Sequence, residues 1–258
     1  MSTRLCALVG VCAVILGISG GVQAQDAPQM YSVLTVEVKP GAEGQFEEFV
    51  SKFRDAAEET ESPVRWNASS AVTSGNSYVF TRPFGSFAAL EGAGPELNEV
   101  YGEEEAGRLL GLLQASAASM STTIYVERPD LSRPWPELEG TPAAVLYIDL
   151  NVRFGMEEQF EAYAGKVKEA TDATAPNAFW LMRQRVFGPG TNNGAYRVVV
   201  VFPQWTDLDT PVKPIPERMR EHFGAEESAR LQTEIGDALQ AVRENLYRVR
   251  ADLARPPE

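Results

Sequence analysis

The sequence predicts an α+β fold built from two copies of one β-α-β-β-α-β unit, and three observations lead to this prediction. Residues 99–134 match residues 221–256 at a spacing of 122, with twelve of 36 positions identical. A second match, at a spacing of 114, aligns residues 38–52 with residues 152–166. In both copies, apolar residues alternate along short segments and recur every three to four residues along longer ones, which predicts strands and amphipathic helices. A match at fixed spacing indicates an internal repeat.

The segment before the repeats, residues 1–24, has the composition of a secretory signal peptide. Arg4 precedes an apolar run over 5–18, and small residues lead up to Gln25. The run of about fourteen apolar residues is shorter than the roughly twenty that span a bilayer. We therefore expect cleavage before Gln25, export to the periplasm or the medium, and no membrane attachment afterwards.

Cysteine content and charge exclude several classes of function. Both cysteines, Cys6 and Cys12, lie in the predicted signal peptide, so the mature chain would have neither disulfides nor thiolate ligands. The mature chain would carry 22 basic and 36 acidic residues, a net charge of −14, which disfavours nucleic acid as a partner. A single histidine cannot form a His-rich zinc site, although one histidine with carboxylates remains open, and no EF-hand spacing is present. We expect neither a metal site nor a cofactor.

The first unit is predicted over residues 31–134. Leu34, Val36 and Val38 alternate with polar residues, which indicates a strand. A helix follows, whose buried face is marked by Phe46 and Phe53. The remaining predicted elements are strands over 64–72 and 77–82, a helical region over 86–118 and a last strand over 122–127.

The second unit, predicted over residues 143–256, repeats this order. Its predicted elements are a first strand over 145–152, a helix beginning after Gly155, strands over 178–187 and 195–202, a late helix and a final strand. Between the units, residues 135–142 are rich in proline and predict a non-helical linker.

Each predicted unit follows the ferredoxin-like pattern, whose sheet has helices on one face and needs cover on the other. Both copies open their first helix with Gly-x-Glu-x-Gln-Phe-Glu, at 41–47 and 155–161, and an aromatic residue follows each third strand, Phe84 and Trp205. On these features residues 31–256 resemble the dimeric α/β barrel superfamily, and most closely its antibiotic-biosynthesis-monooxygenase and NIPSNAP-type modules in tandem. The resemblance implies two units packed sheet to sheet within one chain, and hence a monomer.

The two copies also share the polar residues of their tails, after the last strand. Residues found in both copies are expected to serve the fold, so we predict that these side chains pair and hold the exit of the chain. The shared tail residues are Arg128, Asp130 and Arg133 in the first copy and Arg250, Asp252 and Arg255 in the second.

Residues found in one copy only are candidates for a site. The second copy has Arg183, Arg185 and His222 where the first has Ser69, Ala71 and Val100. Its first strand carries a polar row that we expect to face the space between the sheets, where Arg183 or Arg185 could meet Asp149. Such an ion pair and a polar cavity for a small anionic or aromatic ligand are both open interpretations. The row consists of Tyr147, Asp149 and Asn151, and the ligand-binding candidates are Trp180, Arg183, Arg185, Tyr196 and His222.

Three functions remain open from the sequence. The absence of a reactive constellation favours binding of a small molecule or a partner without chemistry. The resemblance implies a cofactor-independent monooxygenase as an alternative, in which Trp180 stacks on the substrate, Arg183 or Arg185 binds an enolate or phenolate, and His222 accepts a proton. It also implies a haem-binding protein as a further alternative, with Asn151, Trp180 and His222 as its residues. For His222, a helix-surface position is the competing interpretation.

Overall fold

The computed structural model describes residues 28–256, apart from 74, 91–94, 96, 137, 139, 190–193 and 211. The predicted signal peptide therefore lies outside the described residues. Eight strands form one closed antiparallel barrel, with neighbours in the order β1-β3-β2-β8-β5-β7-β6-β4. The strands are β1 (Met30–Val38), β2 (Asn67–Ala71), β3 (Ser77–Phe84), β4 (Ala117–Glu127), β5 (Ala144–Val152), β6 (Leu181–Phe187), β7 (Ala195–Phe202) and β8 (Leu239–Val249).

The barrel consists of two four-stranded sheets that have the same internal order. The first half arranges its strands as β4-β1-β3-β2 and the second half as β8-β5-β7-β6. The sheets do not remain separate layers, because β2 pairs with β8 and β4 pairs with β6. Each sheet thus covers the bare face of the other while their edges hydrogen-bond, which leaves no open sheet edge.

Helices surround the barrel on its outside. In the first half α1 packs against α2, and in the second half α3 packs against α4 and α5. A glycine with positive φ breaks the late helix at equivalent places, Gly102 (φ 76°) within α2 and Gly224 (φ 86°) between α4 and α5. The helices are α1 (Glu43–Glu59), α2 (Leu97–Ser116), α3 (Glu157–Thr174), α4 (Ile215–Phe223) and α5 (Ala225–Ala238). Within the described part of the chain, none is long and apolar enough to cross a membrane.

Strand alternation divides the core into an interior and two outer layers. On β5, Leu150 and Val152 pack outward in the core that contains Phe160 of α3. Val145 and Tyr147 point inward, as the alternation predicts. The inward residues of both halves meet in one cluster, the interior plug, which consists of Val33, Val79, Tyr125, Val145, Tyr147, Val199 and Tyr247.

Several strand boundaries differ from the prediction. The last strand of the first half begins at Ala117, earlier than the predicted 122, because it pairs along most of β1 as far as a bulge near Val38. The last strand of the second half, predicted without bounds, begins at Leu239 and pairs in the same way along β5 as far as a bulge near Val152. The second strands begin later than predicted, since Trp66 and Trp180 instead pair with the tail residues Arg255 and Arg133 in isolated bridges.

Candidate functional site

The tails join the two halves through a pair of equivalent polar clusters. Arg128 follows β4 of the first half, yet it forms an ion pair with Glu161 on α3 of the second half. Tyr196 donates its hydroxyl hydrogen to the same carboxylate, with the two oxygens 2.6 Å apart. Asp130 forms a second ion pair with Arg128, at 2.8 Å. We call Arg128, Asp130, Glu161 and Tyr196 the first clasp.

The second clasp repeats this geometry with the halves exchanged, and consists of Arg250, Asp252, Glu47 and Tyr78. Arg250 reaches Glu47 at 2.5 Å and Asp252 at 2.7 Å. The Tyr78 hydroxyl donates to Glu47 at 2.7 Å. The predicted pairing is therefore confirmed for Arg128 with Asp130 and for Arg250 with Asp252, and the last Glu of the Gly-x-Glu-x-Gln-Phe-Glu motif is the additional partner across the halves. The other two shared arginines bind outside the tails: Arg133 forms an ion pair with Asp172, and Arg255 donates to the carbonyls of Ser62 and Val64.

The clasps shift the pKa of their members in the directions that their contacts require. Hydrogen bonds from Arg128 and Arg250 hold the pKa of Glu161 and Glu47 below the ordinary value. Burial, and then the bond to glutamate, raise the pKa of the Tyr196 hydroxyl. Glu161 is thus an anion and Tyr196 a neutral donor at neutral pH, so Tyr196 serves the joint between the halves.

Trp180 also belongs to a joint that both halves share. Its indole Nε1 donates to the carbonyl of Leu131 at 2.9 Å. The equivalent Trp66 donates to the carbonyl of Leu253, also at 2.9 Å. Because each indole anchors the tail of the other half, the match between the two tryptophans reflects the fold.

The inside of the barrel contains a cavity on each side of the interior plug. The larger one, the mouth cavity, has a volume of about 510 Å³ and is lined by polar side chains. The charged residues that line it are Glu37, Asp149, Arg185, Arg197 and Arg243. Its neutral polar lining includes Asn151, Asn245, Tyr125 and Tyr247.

An ion pair at the floor of the mouth cavity organises its charge. Arg197 donates from Nε and Nη2 to the two carboxylate oxygens of Asp149, at 2.6 and 3.0 Å. The Arg197 side chain is 12% exposed, and its remaining nitrogen, Nη1, is buried without a hydrogen-bond partner. Its guanidinium carbon lies 5.0 and 4.9 Å from the ring centres of Tyr125 and Tyr147. The cation is thus fixed in place, and the N–H groups of its Nη1 have no partner.

The partner of Asp149 differs from the prediction. Arg183 and Arg185, the partners expected from the sequence, both lie on β6, which is not a neighbour of β5. Asp149 is instead directly opposite Arg197 on β7 and Arg243 on β8. Arg197 could have been found from sequence, because it alternates with Val199 and Val201 on the inward face of a strand that pairs with β5.

Three arginines of the second half therefore converge on the mouth cavity of an otherwise acidic protein. Arg185 lines it and donates to the carbonyl of Pro189 at 3.1 Å. Arg243 lies exposed at its rim. Glu37, the acid that the first half contributes, accepts a hydrogen bond from Ser77 at 2.7 Å. Burial alone would lower the pKa of Arg197, but Tyr125 and Asp149 outweigh it and keep the pKa above its ordinary value.

Arg183 lies on the other side of the plug, in a cavity of about 350 Å³ that we call the far cavity. Its guanidinium carbon lies 3.6 Å from the ring centre of Tyr31. A third cavity, of about 360 Å³, lies outside the barrel between α1 and the first sheet, and we call it the outer cavity. Its walls are mainly apolar and include Phe46, Phe49, Phe53, Trp66, Phe80 and Leu113.

His222 lies on α4 and lines none of these three cavities. Its Nε2 is 3.3 Å from a carboxylate oxygen of Glu169 on α3, and its ring contacts Phe223 edge-on. The structure thus places Asn151 in the mouth cavity, Trp180 at a tail and His222 on the outer helices. This arrangement brings together neither the three haem candidates nor the monooxygenase candidates Trp180, Arg185 and His222. Among the residues described, no group of three or more His, Cys, Asp or Glu could hold a metal ion.

Comparison with known proteins relates the chain to others by fold alone. No protein family model and no curated sequence matches it. A monooxygenase candidate from Fusobacterium nucleatum superimposes with a TM-score of 0.53 at 11% identity, covering 86% of this chain and 93% of that one. An anthrone oxidase-like protein gives a TM-score of 0.52 at 15% identity, covering 89% and 94%.

Chlorite dismutase from Candidatus Nitrospira defluvii, in complex with imidazole, gives a TM-score of 0.51 at 7% identity, covering 88% of this chain and 93% of that one. These structural neighbours are dimeric α/β barrel proteins. At such low identities the likeness establishes the fold.

Proposed function

We propose that this protein binds a small anionic molecule in the mouth cavity. The observation that carries the proposal is the Arg197 guanidinium, which Asp149 fixes on two nitrogens while its buried Nη1 has no partner. A buried donor without a hydrogen-bond partner is unfavourable, and an anion held next to the guanidinium would compensate its charge. Arg185 and Arg243 line the same cavity, so a carboxylate that enters it meets three guanidinium groups against one paired aspartate and Glu37.

The cavity walls favour an aromatic acid over an aliphatic one. Tyr125 and Tyr247 line the cavity beside the arginines. Burial raises the pKa of both hydroxyls, so they remain neutral donors that can bind an anion. Aromatic rings of a ligand could stack on these tyrosines or on a guanidinium. The ligand class that fits best is therefore a small aromatic carboxylate or phenolate.

The experiment is calorimetric titration of the protein with benzoate and phthalate, using uncharged benzamide as the control ligand. We expect the acids to bind and benzamide not to bind. Arg243→Gln should weaken the binding about tenfold, since it removes a charged hydrogen-bond donor from the rim. Arg248→Gln is the matched control, because Arg248 lies exposed on the same strand over the Trp205 ring, outside the mouth-cavity lining. Equal affinities of the two variants for the acids, or no binding by the unmodified protein, would overturn the proposal.

A second candidate function is binding of a flat apolar molecule in the outer cavity of the first half. Four phenylalanines and Trp66 surround this space, which is typical of sites for aromatic ligands. The names of the structural neighbours, a monooxygenase candidate and an anthrone oxidase-like protein, are consistent with an aromatic ligand on this fold. A monooxygenase-like activity would then use the outer cavity, since His222 and Trp180 do not share a site.

The uncharged dye N-phenyl-1-naphthylamine tests this candidate, because its fluorescence rises in apolar surroundings. Leu113→Phe fills the outer cavity and should reduce the fluorescence gain severalfold. Leu110→Phe is the control on the same helix, where the side chain is 46% exposed. If both variants bind the dye as the unmodified protein does, the outer cavity is not a binding site.

We also propose how the chain is divided into units, that it is a monomer and that it is exported. Two tandem ferredoxin-like units, 31–134 and 143–256, are joined by the linker 135–142 and form a monomeric barrel within one chain. The equal strand order and the paired clasps support this division. The chain is exported to the periplasm or the medium after removal of residues 1–24. Light scattering tests the monomer, and the mass of the exported protein tests whether it begins at Gln25.

A further inference from the structure

The far cavity holds the most deeply buried unpaired cation that the described residues contain. Arg183 is 6% exposed, and its Nε is buried without a hydrogen-bond partner. No carboxylate oxygen of the described residues lies within ion-pair distance of it. The nearest acid along the sheet is Glu127, which is opposite Arg183 in the β4–β6 register and accepts the Tyr31 hydroxyl hydrogen at 2.9 Å.

On β7, the other strand that pairs with β6, the neighbour of Arg183 is a second cation. In the β6–β7 register Arg183 is directly opposite Arg197, whose carboxylate partner Asp149 belongs to the mouth cavity. Like charges opposite each other in a sheet are unfavourable. Glu127, opposite Arg183 on its other side, is bound to the Tyr31 hydroxyl and forms no ion pair with Arg183, so it compensates the buried charge only in part. The stacking of Arg183 on the Tyr31 ring compensates only part of this, because a cation–π contact is weaker than an ion pair. The position therefore favours an anion that the described residues do not supply.

Apart from Arg183, the far cavity is lined mainly by apolar residues, and its other polar lining residues include Asn67, Ser69 and Thr81. Beyond Arg183, towards the end of the barrel, its walls are formed by Leu181, Val201 and Val249, with Pro142 and Pro256 among the residues that line it. Leu181 precedes Arg183 by two residues on the inward face of β6, so the charge lies one step deeper than the leucine. The interior plug separates this space from the mouth cavity.

We propose that the far cavity is a second binding site, for an amphipathic carboxylate whose acid group pairs with Arg183 and whose apolar body fills the space between Arg183 and Pro142. The cavity volume of about 350 Å³ falls within the range of sites for small ligands. A medium-chain fatty acid or an aryl-alkanoic acid has this chemistry. The site is distinct from the mouth cavity proposed for the aromatic anion, because a different arginine serves each, although Arg183 and Arg197 are opposite each other on β6 and β7.

Calorimetric titration of the full mature chain with decanoate tests the proposal, with 1-decanol as the uncharged probe. Decanoate should bind at least tenfold more tightly than 1-decanol. Arg183→Met preserves the length and apolar stem of the side chain, and should reduce the affinity for decanoate at least tenfold while leaving that for 1-decanol unchanged. Arg243→Gln should leave decanoate binding unchanged, because Arg243 belongs to the mouth cavity.

A second variant keeps the proposal testable if Arg183→Met does not fold. Val201→Phe keeps the arginine and fills the apolar wall, and should weaken the binding of both probes. Equal affinities of the unmodified protein for decanoate and 1-decanol, or full decanoate binding by Arg183→Met, would overturn the proposal. Loss of decanoate binding in Arg243→Gln but not in Arg183→Met would place the acid in the mouth cavity. That result would overturn the second site while supporting the function proposed for the first.

Discussion

In the first half of the barrel Thr35 lies between Val79 and Ser121, whereas in the second half the same place is occupied by Asp149 between Arg197 and Arg243. The register is identical, so the difference lies in the side chains alone. The clasps show the opposite behaviour, since each half contributes the same arginine, aspartate, glutamate and tyrosine. The joints between the halves are thus duplicated, while the charged interior is present once.

This comparison indicates which residues are free to serve a ligand. A clasp residue cannot change without loosening the contact between the halves, because Arg128 and Arg250 each bridge two acids. An inward residue of the barrel meets only its neighbours and the cavity. The charge pattern of the second half therefore points to a site there, and the following predictions separate the two roles by their effects on stability and binding.

The largest loss of stability is expected from removing the carboxylate of Asp149, which has no equivalent in the first half. Asp149→Ala leaves the Arg197 guanidinium, 12% exposed, without its ion-pair partner. Breaking a buried pair in this way destabilises by about 3 kcal/mol. Thr35→Ala at the equivalent place of the first half removes no charge and should cost less than about 1 kcal/mol. Urea denaturation followed by circular dichroism measures both.

The double variant Asp149→Ala with Arg197→Met provides the control, because it removes both charges of the pair. It should recover most of the stability that the single variant loses. Equal losses for Asp149→Ala and Thr35→Ala would contradict the view that the interior of the second half is organised by this pair.

Substitutions in the clasps should lower the free energy of unfolding by less than Asp149→Ala does, and by equal amounts in the two halves. Glu161→Ala leaves Arg128 and the Tyr196 hydroxyl without a shared acceptor, and Glu47→Ala does the same to Arg250 and Tyr78. Each substitution should lower the free energy of unfolding by about 2 kcal/mol, the cost of losing a charge-assisted hydrogen bond at a partly buried site. Benzoate binding in the mouth cavity should persist in both variants.

A difference of more than about 1 kcal/mol between these two clasp variants would show that the halves are not joined equivalently. Tyr196→Phe and Tyr78→Phe are the milder pair and should cost about 1 kcal/mol each. Their comparison tests the same symmetry without removing a charge.

The repeat made most of the fold readable from sequence, because local patterns that agree with each other specify a structure strongly. The motif that ends in Glu47 and Glu161 and the tails with Arg128 and Arg250 were recognised as shared features before any contact was known. Their mutual contact could not be deduced, because a repeat does not show that the tail of one copy crosses to the helix of the other.

The site was predicted only in part, for a reason that concerns strand order. The polar row of β5 was placed correctly in the interior, since alternation fixes which side chains share a face. The partner of Asp149 was assigned to β6 because strand neighbours were not specified, and Arg197 on β7 was overlooked. His222 and Trp180 were candidates because of the chemistry of their side chains. Side-chain chemistry does not indicate where a residue lies, and the fold places these two apart.

The pH dependence of stability should distinguish the clasps from ordinary surface acids. Arginine hydrogen bonds hold the pKa of Glu47 and Glu161 below their unfolded value. The stability that these groups contribute is therefore complete above about pH 4.5 and is lost as pH falls through the lower folded pKa. The double variant Glu47→Gln with Glu161→Gln should lose less stability between pH 6 and pH 3 than the unmodified protein does.

The matched control for the pH experiment replaces two exposed acids outside the clasps, Glu99 and Glu226, by glutamine. This variant should follow the unmodified protein, apart from a small effect of its altered net charge. If the control flattens the pH profile as much as the clasp variant, general charge repulsion rather than the clasps governs acid unfolding.

The smallest effect is expected at His222, the residue that chemistry alone would select first. Its side chain faces Glu169 across 3.3 Å on the outer helices, and such exposed pairs contribute little to stability. His222→Ala should leave the urea midpoint and the affinities for benzoate and decanoate unchanged. Titration with haem should produce no Soret band in either protein, because a second-half site that used this histidine would need it at a cavity that it does not line. A Soret band that disappears in His222→Ala would reverse this assignment, and would move the functional centre of the second half from the interior of the barrel to its helical surface.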